Sequence, residues 1–135
     1  MNIRNFISIT TLFMFTVLIS SCQESLEDRC KRECMEYTKT KCPVPIDQFT
    51  TLDSMVFNVD SHTIIYYFTL KSKADENIKN FTEEKARNIL LQELKNSTQT
   101  RLFKENDYSF RYIYRSQQSP QTIHLDILLK KEDYQ

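Results

Sequence analysis

Three cysteines and two histidines are where chemistry would start in the body of this chain. Cys30-x-x-x-Cys34 puts two thiols on one helical face, and Cys42 follows further on. A metal or redox site would want a C-x-x-C spacing or a neighbouring His, and neither is present. The spacing suits a structural bond with one thiol left over. Cys34 lies some ~7.5 Å from the expected helix end, within reach of a chain folding back through Cys42. A Cys34–Cys42 disulfide is therefore expected, closing a short loop worth roughly 2–3 kcal/mol. Cys30 is the leftover thiol; with a lowered pKa it would make the chain a small thiol-dependent enzyme.

His62 falls in an expected turn and His124 on the outward face of the last strand, each without the local partners that a catalytic triad or a three-ligand metal site needs. No catalytic residue, metal or cofactor is expected. A second set of residues shares one face of the expected sheet: Tyr67, Thr69, Arg111, Arg115, His124 and Asp126. That face mixes aromatic, basic and hydroxyl groups as a recognition surface does, so it is the expected binding face; the plainer reading is a solvated sheet surface.

The elements that position these residues follow from periodicity. Ser25 starts a helix as N-cap with Asp28 three residues on; Leu26, Cys30, Cys34 and Tyr37 then recur at helical spacing to about Lys39. Cys42-Pro43-Val44-Pro45 ends it. Met55, Phe57 and Val59 alternate with polar positions, Asp60-Ser61-His62 turns, and Ile64, Tyr66, Phe68 and Leu70 alternate again. Residues 71–80 read as a polar loop. Thr82 caps a second helix with the stripe Ala86, Ile89, Leu90 and Leu94. Phe110, Tyr112 and Tyr114, then Ile123, Leu125, Ile127 and Leu129, form a closing hairpin. The order is one N-terminal helix followed by β-β-α-β-β. It predicts an α+β fold: a four-stranded antiparallel sheet with helices packed on one face.

Composition narrows the function classes. Lys plus Arg and Asp plus Glu each number 18, so nothing draws the chain to nucleic acid. There is no glycine among the 135 residues. That removes the Gly-rich phosphate loops of nucleotide-binding folds and leaves left-handed turn positions to Asn, Asp or Ser.

The front of the chain has three parts: Arg4 near the start, the apolar run Phe6 to Ile19, and small residues before Cys22. This is the order of a secretory signal. Fourteen residues make a helix of about 21 Å, short of the ~30 Å hydrocarbon core. Leu18 to Cys22, LISSC, resembles the lipobox of bacterial lipoproteins. The resemblance implies that the Cys22 thiol receives diacylglycerol, that residues 1–21 are removed, and that Cys22 becomes the acylated first residue. Gln23, where Asp resembles an inner-membrane retention signal, implies the outer membrane, on a side the sequence leaves open. Cys42-Pro43, Ile46-Asp47, Thr51-Leu52-Asp53-Ser54 and the Tyr-rich strands are similar to small uncharacterised lipoproteins of Bacteroides-type bacteria, a likeness that brings no activity.

The organisation expected is a signal peptide over 1–21, an acylated tether over 22–25 and a single α+β domain over 26–135. The function expected is a non-enzymatic, lipid-anchored envelope module that binds a protein or glycan. The alternatives are the thiol enzyme and an inhibitor or immunity-type lipoprotein. Cys22→Ala should block acylation and processing, leaving an unlabelled precursor when cells are fed palmitate and fractionated. Equal labelling of wild type and variant would contradict the lipobox reading.

Overall fold

The computed structural model describes residues 23–78 and 81–135. The signal segment and Cys22 lie outside the described residues. No described helix is long and apolar enough to cross a membrane.

Helix α1 (Leu26–Lys41) opens where its sequence says it should. The Ser25 hydroxyl accepts the Asp28 amide at 3.1 Å, satisfying one of the unpaired first-turn donors. It buries Cys30 and Cys34. It runs to Lys41, and Cys42, extended and followed by Pro43, stops it. Strand β1 (Val44–Pro45) then pairs with β2 (Thr50–Asn58), and β2 with β3 (Thr63–Leu70), both antiparallel. In the loop between β1 and β2, the Asp47 carboxylate accepts the Phe49 and Thr50 amides at 2.7 and 2.8 Å, an Asx turn that glycine-free chains favour.

The two left-handed positions among the described residues are Asp107, at φ 64°, and His62, at φ 45°. Asp is a residue type expected there. His62 is not, although His is among the side chains that tolerate this region. Its ring pairs with Glu27 in the first turn of α1 and lies edge-on to the Tyr108 ring at 5.6 Å, which holds the turn in place.

Beyond β3 come α2 (Ser72–Asn77), α3 (Glu83–Asn96) and α4 (Arg101–Glu105). Strands β4 (Ser109–Ser116) and β5 (Ile123–Leu129) and the short α5 (Lys131–Tyr134) close the chain. Helix α2 occupies part of the stretch expected to be loop. Thr82 caps α3 as expected, accepting the Lys85 amide at 3.3 Å. At the other end Lys104 donates to the carbonyls of Leu94, Lys95 and Ser97, placing a cation on the negative end of α3.

The class is α+β, but the sheet departs from the expected four antiparallel strands. It has five strands in the order β1-β2-β3-β4-β5, and β3 and β4 run parallel. Strand β1 is two residues long and leaves no period to read. The parallel pair arises because three helices connect β3 to β4. A crossover of that length carries the chain back to the end of the sheet where β3 began, whereas a tight turn would have started β4 where β3 ended.

One face of the sheet packs on the helices. Phe110, Ile127 and Leu129 are fully buried there, each contributing about 1.5–3 kcal/mol. The core is therefore centred on β4 and β5, beneath α3 and α5. Helix α1 lies along β2 at the other side. The Thr38 hydroxyl donates to the Met55 carbonyl at 2.9 Å and accepts the Met55 amide at 2.8 Å. One side chain thus satisfies the edge of β2 where β1 does not reach.

Candidate functional site

Between α1 on one side and α3 and α4 on the other, the helix layer leaves a cleft of about 510 Å³ over the middle of the sheet. Its floor comes from β2, β3 and β4, through Leu52, Met55, Ile64, Tyr66, Phe68 and Tyr112. Parallel, in-register pairing sets Tyr66 opposite Tyr112 and Phe68 opposite Tyr114. The rings stack across the strands with centroids 5.1 and 4.7 Å apart and planes within 12°. Rings stacked in this way cover one another's faces, so the cleft meets their edges and hydroxyls. Among the described residues none of the hydroxyls of Tyr66, Tyr112 and Tyr114 has a hydrogen-bond partner. A second cavity of about 350 Å³ adjoins it beneath α2 and α3, lined by Leu70, Ile78, Ile89, Leu90 and Leu125, with Glu93 bordering both. Size and lining suit an organic ligand: apolar walls with a few polar groups to orient it.

The tyrosines are neutral donors. Burial pushes the Tyr66 and Tyr112 hydroxyls well above the ordinary range, and burial with the Glu93 and Asp47 carboxylates takes Tyr114 up to about 12.

The opposite sheet face holds most of the residues expected to bind. Tyr67, Arg111, Arg115 and Asp126 are gathered there, but they engage one another. Arg111 makes a bidentate pair with Asp126, Nε to Oδ1 at 2.7 Å and Nη2 to Oδ2 at 2.6 Å. The Arg115 guanidinium lies over the Tyr67 ring, 5.2 Å from its centroid. Thr69 donates to Asp53 at 2.6 Å. Ile113, between Tyr67 and Asp126 in the register, is only 5% exposed beneath these side chains.

His124 is not on that face. The β4–β5 pairing passes from Tyr114↔Leu125 to Arg115↔Ile123, so His124 is the extra residue of a bulge and turns toward α2. Its Nε2 lies 2.7 Å from Asp75 Oδ1. Asp75 Oδ2 accepts the Ser116 hydroxyl at 2.7 Å and the Gln118 amide at 3.2 Å. Serine, histidine and aspartate thus meet with the acid in the middle. No base touches the hydroxyl, and the cluster ties α2 to the β4–β5 hairpin.

The expected Cys34–Cys42 bond is not formed, and Cys30, Cys34 and Cys42 are all thiols. Because α1 continues to Lys41, Cys34 and Cys42 stand about 12 Å apart along the axis, beyond the ~7 Å a disulfide spans. Cys30 is wholly buried; its hydrogen bond with Cys34, and burial, push its thiol well above the ordinary range. The thiolate that a nucleophile needs is disfavoured there. Among the described residues no group of three His, Cys, Asp or Glu side chains is placed to hold a metal.

Tyr66, Phe68, Tyr112, Tyr114, Glu93 and Asp75 were not among the sequence-derived site residues. The aromatic positions read as core. The signal that distinguishes them is three inward tyrosines on two strands, since a buried hydroxyl needs a partner and an open cleft supplies one.

Residues 25–125 match the family described as "Domain of unknown function (DUF8479)". The chain belongs to that family. The DUF8479 match runs from the α1 cap into β5 and so takes in both walls and the floor of the cleft. The structure is similar to a crystal structure of a "putative secreted protein" from Pseudomonas aeruginosa, at 13% identity and a TM-score of 0.64. The likeness covers 82% of this chain and 98% of that one and carries the fold alone. No curated protein matches the DUF8479 chain.

The Asp75 cluster has a pH signature. Burial pushes its carboxyl up, but hydrogen bonds from Ser116, His124 and the Gln118 amide outweigh that and hold it below the usual range. A carboxylate with a lowered folded pKa stabilises fully above the unfolded value of about 3.9 and less as pH falls through the folded one. Asp75→Asn should therefore be less stable than wild type in urea unfolding at about pH 7, with the gap narrowing toward about pH 3. A gap that widens on acidification would contradict this role.

Proposed function

We propose that this chain is a non-enzymatic binding domain of the bacterial cell envelope, held at the outer membrane by acyl chains on Cys22, that takes its ligand in the cleft over β3 and β4. The LISSC stretch supports the anchor, and the description of the Pseudomonas aeruginosa neighbour as secreted agrees with export. The observation that carries the binding reading is the contrast between the two sheet faces. On the outer face the charged groups are satisfied by their neighbours. Tyr66 and Tyr112 line the cleft and Tyr114 the adjoining cavity, and among the described residues their hydroxyls have no hydrogen-bond partner.

Photo-crosslinking in living cells tests this. A benzophenone side chain in place of Ile89, at the rim of the smaller cavity, should acquire a small-molecule adduct visible by intact mass. The same group in place of Arg115, on the outer face, should not. An adduct at the Arg115 position with none at Ile89 would return the binding site to the sheet face.

A further inference from the structure

The charges around the cleft narrow what enters it. Among the described residues, two ionised side chains line the cleft and the adjoining cavity, and both are acidic: Glu33 on α1 and Glu93 on α3, one on each wall. No Lys, Arg or His among the described residues lines either space. Glu33 is paired with Arg29 at 2.7 Å, on a part of the helix that does not line the cleft. Glu93 has no hydrogen-bond or ion-pair partner among the described residues. It stands beside Tyr112 and Tyr114, whose hydroxyls are raised above the ordinary range by burial first and then by neighbouring groups, its charge among them.

The two spaces differ in character. Beyond Glu93, beneath α2 and α3, the lining is aliphatic and aromatic apart from Asn77, with Tyr114 on its floor and Ile89 and Phe81 partly exposed. On the near side of Glu93 are the rings of Tyr66, Phe68 and Tyr112. A single molecule lying across this boundary would put an apolar part into the smaller cavity and a polar part against the carboxylate. Anionic head groups would meet a carboxylate on each wall with no cation among the described lining residues to offset them, a repulsive arrangement that excludes as well as selects.

Resting on the cleft reading, we infer that the ligand is an amphipathic organic cation, a small molecule with one apolar tail and an ammonium-type head. The tail fills the cavity between α2, α3 and the sheet. The head sits at Glu93, beside the Tyr112 and Tyr114 hydroxyls. The cavity of about 350 Å³ matches a short alkyl or aryl tail better than a folded partner.

The test uses the whole chain anchored in nanodiscs of neutral lipid and three probes that share a hexyl tail: hexyltrimethylammonium, hexyl glucoside and hexanesulfonate. Heats of binding are corrected with protein-free nanodiscs. The cation should bind about fivefold tighter than the glucoside, with the sulfonate weakest, as a partly exposed charge pair worth ~1 kcal/mol gives. Glu93→Gln, an exposed position that tolerates the change, should remove that advantage and leave the glucoside as it was. Equal binding of all three probes, unaltered by Glu93→Gln, would overturn the cation assignment while leaving the cleft standing, provided the uncharged Ile89→Asn weakens all three. A lysine-rich peptide that binds where the hexyl cation does not would also overturn it, in favour of peptide docking. Binding of none of the probes would remove the cleft reading and this inference together.

Discussion

The parallel pairing of β3 with β4 governs the arrangement of everything around it. Two hairpins, each with its own tight turn, are joined through their inner strands, and parallel strands admit no short connection. The chain must leave the end of β3, cross the sheet and return, and it does so through α2, α3 and α4. These helices cover β4 and β5, while α1 arrives from the other side and lies along β2. The strip between them, over β3 and β4, is the part of the inner face that neither group covers. The cleft is a consequence of this connection.

The same pairing sets what the cleft contains. In-register parallel strands put Tyr66 beside Tyr112 and Phe68 beside Tyr114, and each stacked pair contributes about 0.5–1.5 kcal/mol beyond simple burial. A shift of one residue would carry the rings to the outer face and bring Ile65, Tyr67 and Thr69 inward. The register that stabilises the sheet is therefore also the register that floors the cleft with hydroxyls. On the outer face, the Arg111–Asp126 and Arg115–Tyr67 contacts roof Ile113, which makes those groups part of the sheet's own packing.

Much of this is legible in the sequence where a period is long enough to read. Helix α1 with its Ser25 cap, α3 with its Thr82 cap, and the inward sets of β2 to β5 follow from alternation and capping, except Val59 and Ile123, which are exposed, Ile123 because the β5 bulge sets it opposite Arg115. What is lost has physical reasons. Strand β1 is too short to show a period, and α2 lies in a stretch whose polarity reads as loop. The direction of β4 relative to β3 depends on how three helices pack, which no local pattern encodes. His124 is misplaced because strict alternation was carried through a bulge. The cysteines mislead because α1 outlasts its expected end by about half a turn, so that Cys34 and Cys42 share one rigid rod. The tyrosines were legible as inward-facing, but their partial exposure depends on how much of the sheet two separate helix groups can cover.

The central claim is that ligand is received over β3 and β4, on the helix side of the sheet. Side-chain NMR of the whole nanodisc-anchored chain with ring-labelled tyrosine tests it most directly, using hexyltrimethylammonium as titrant. The account predicts shifts of the Tyr66, Tyr112 and Tyr114 rings with a common midpoint, while Tyr67 on the opposite face stays unchanged. Movement of Tyr67 with the three cleft tyrosines still would contradict it.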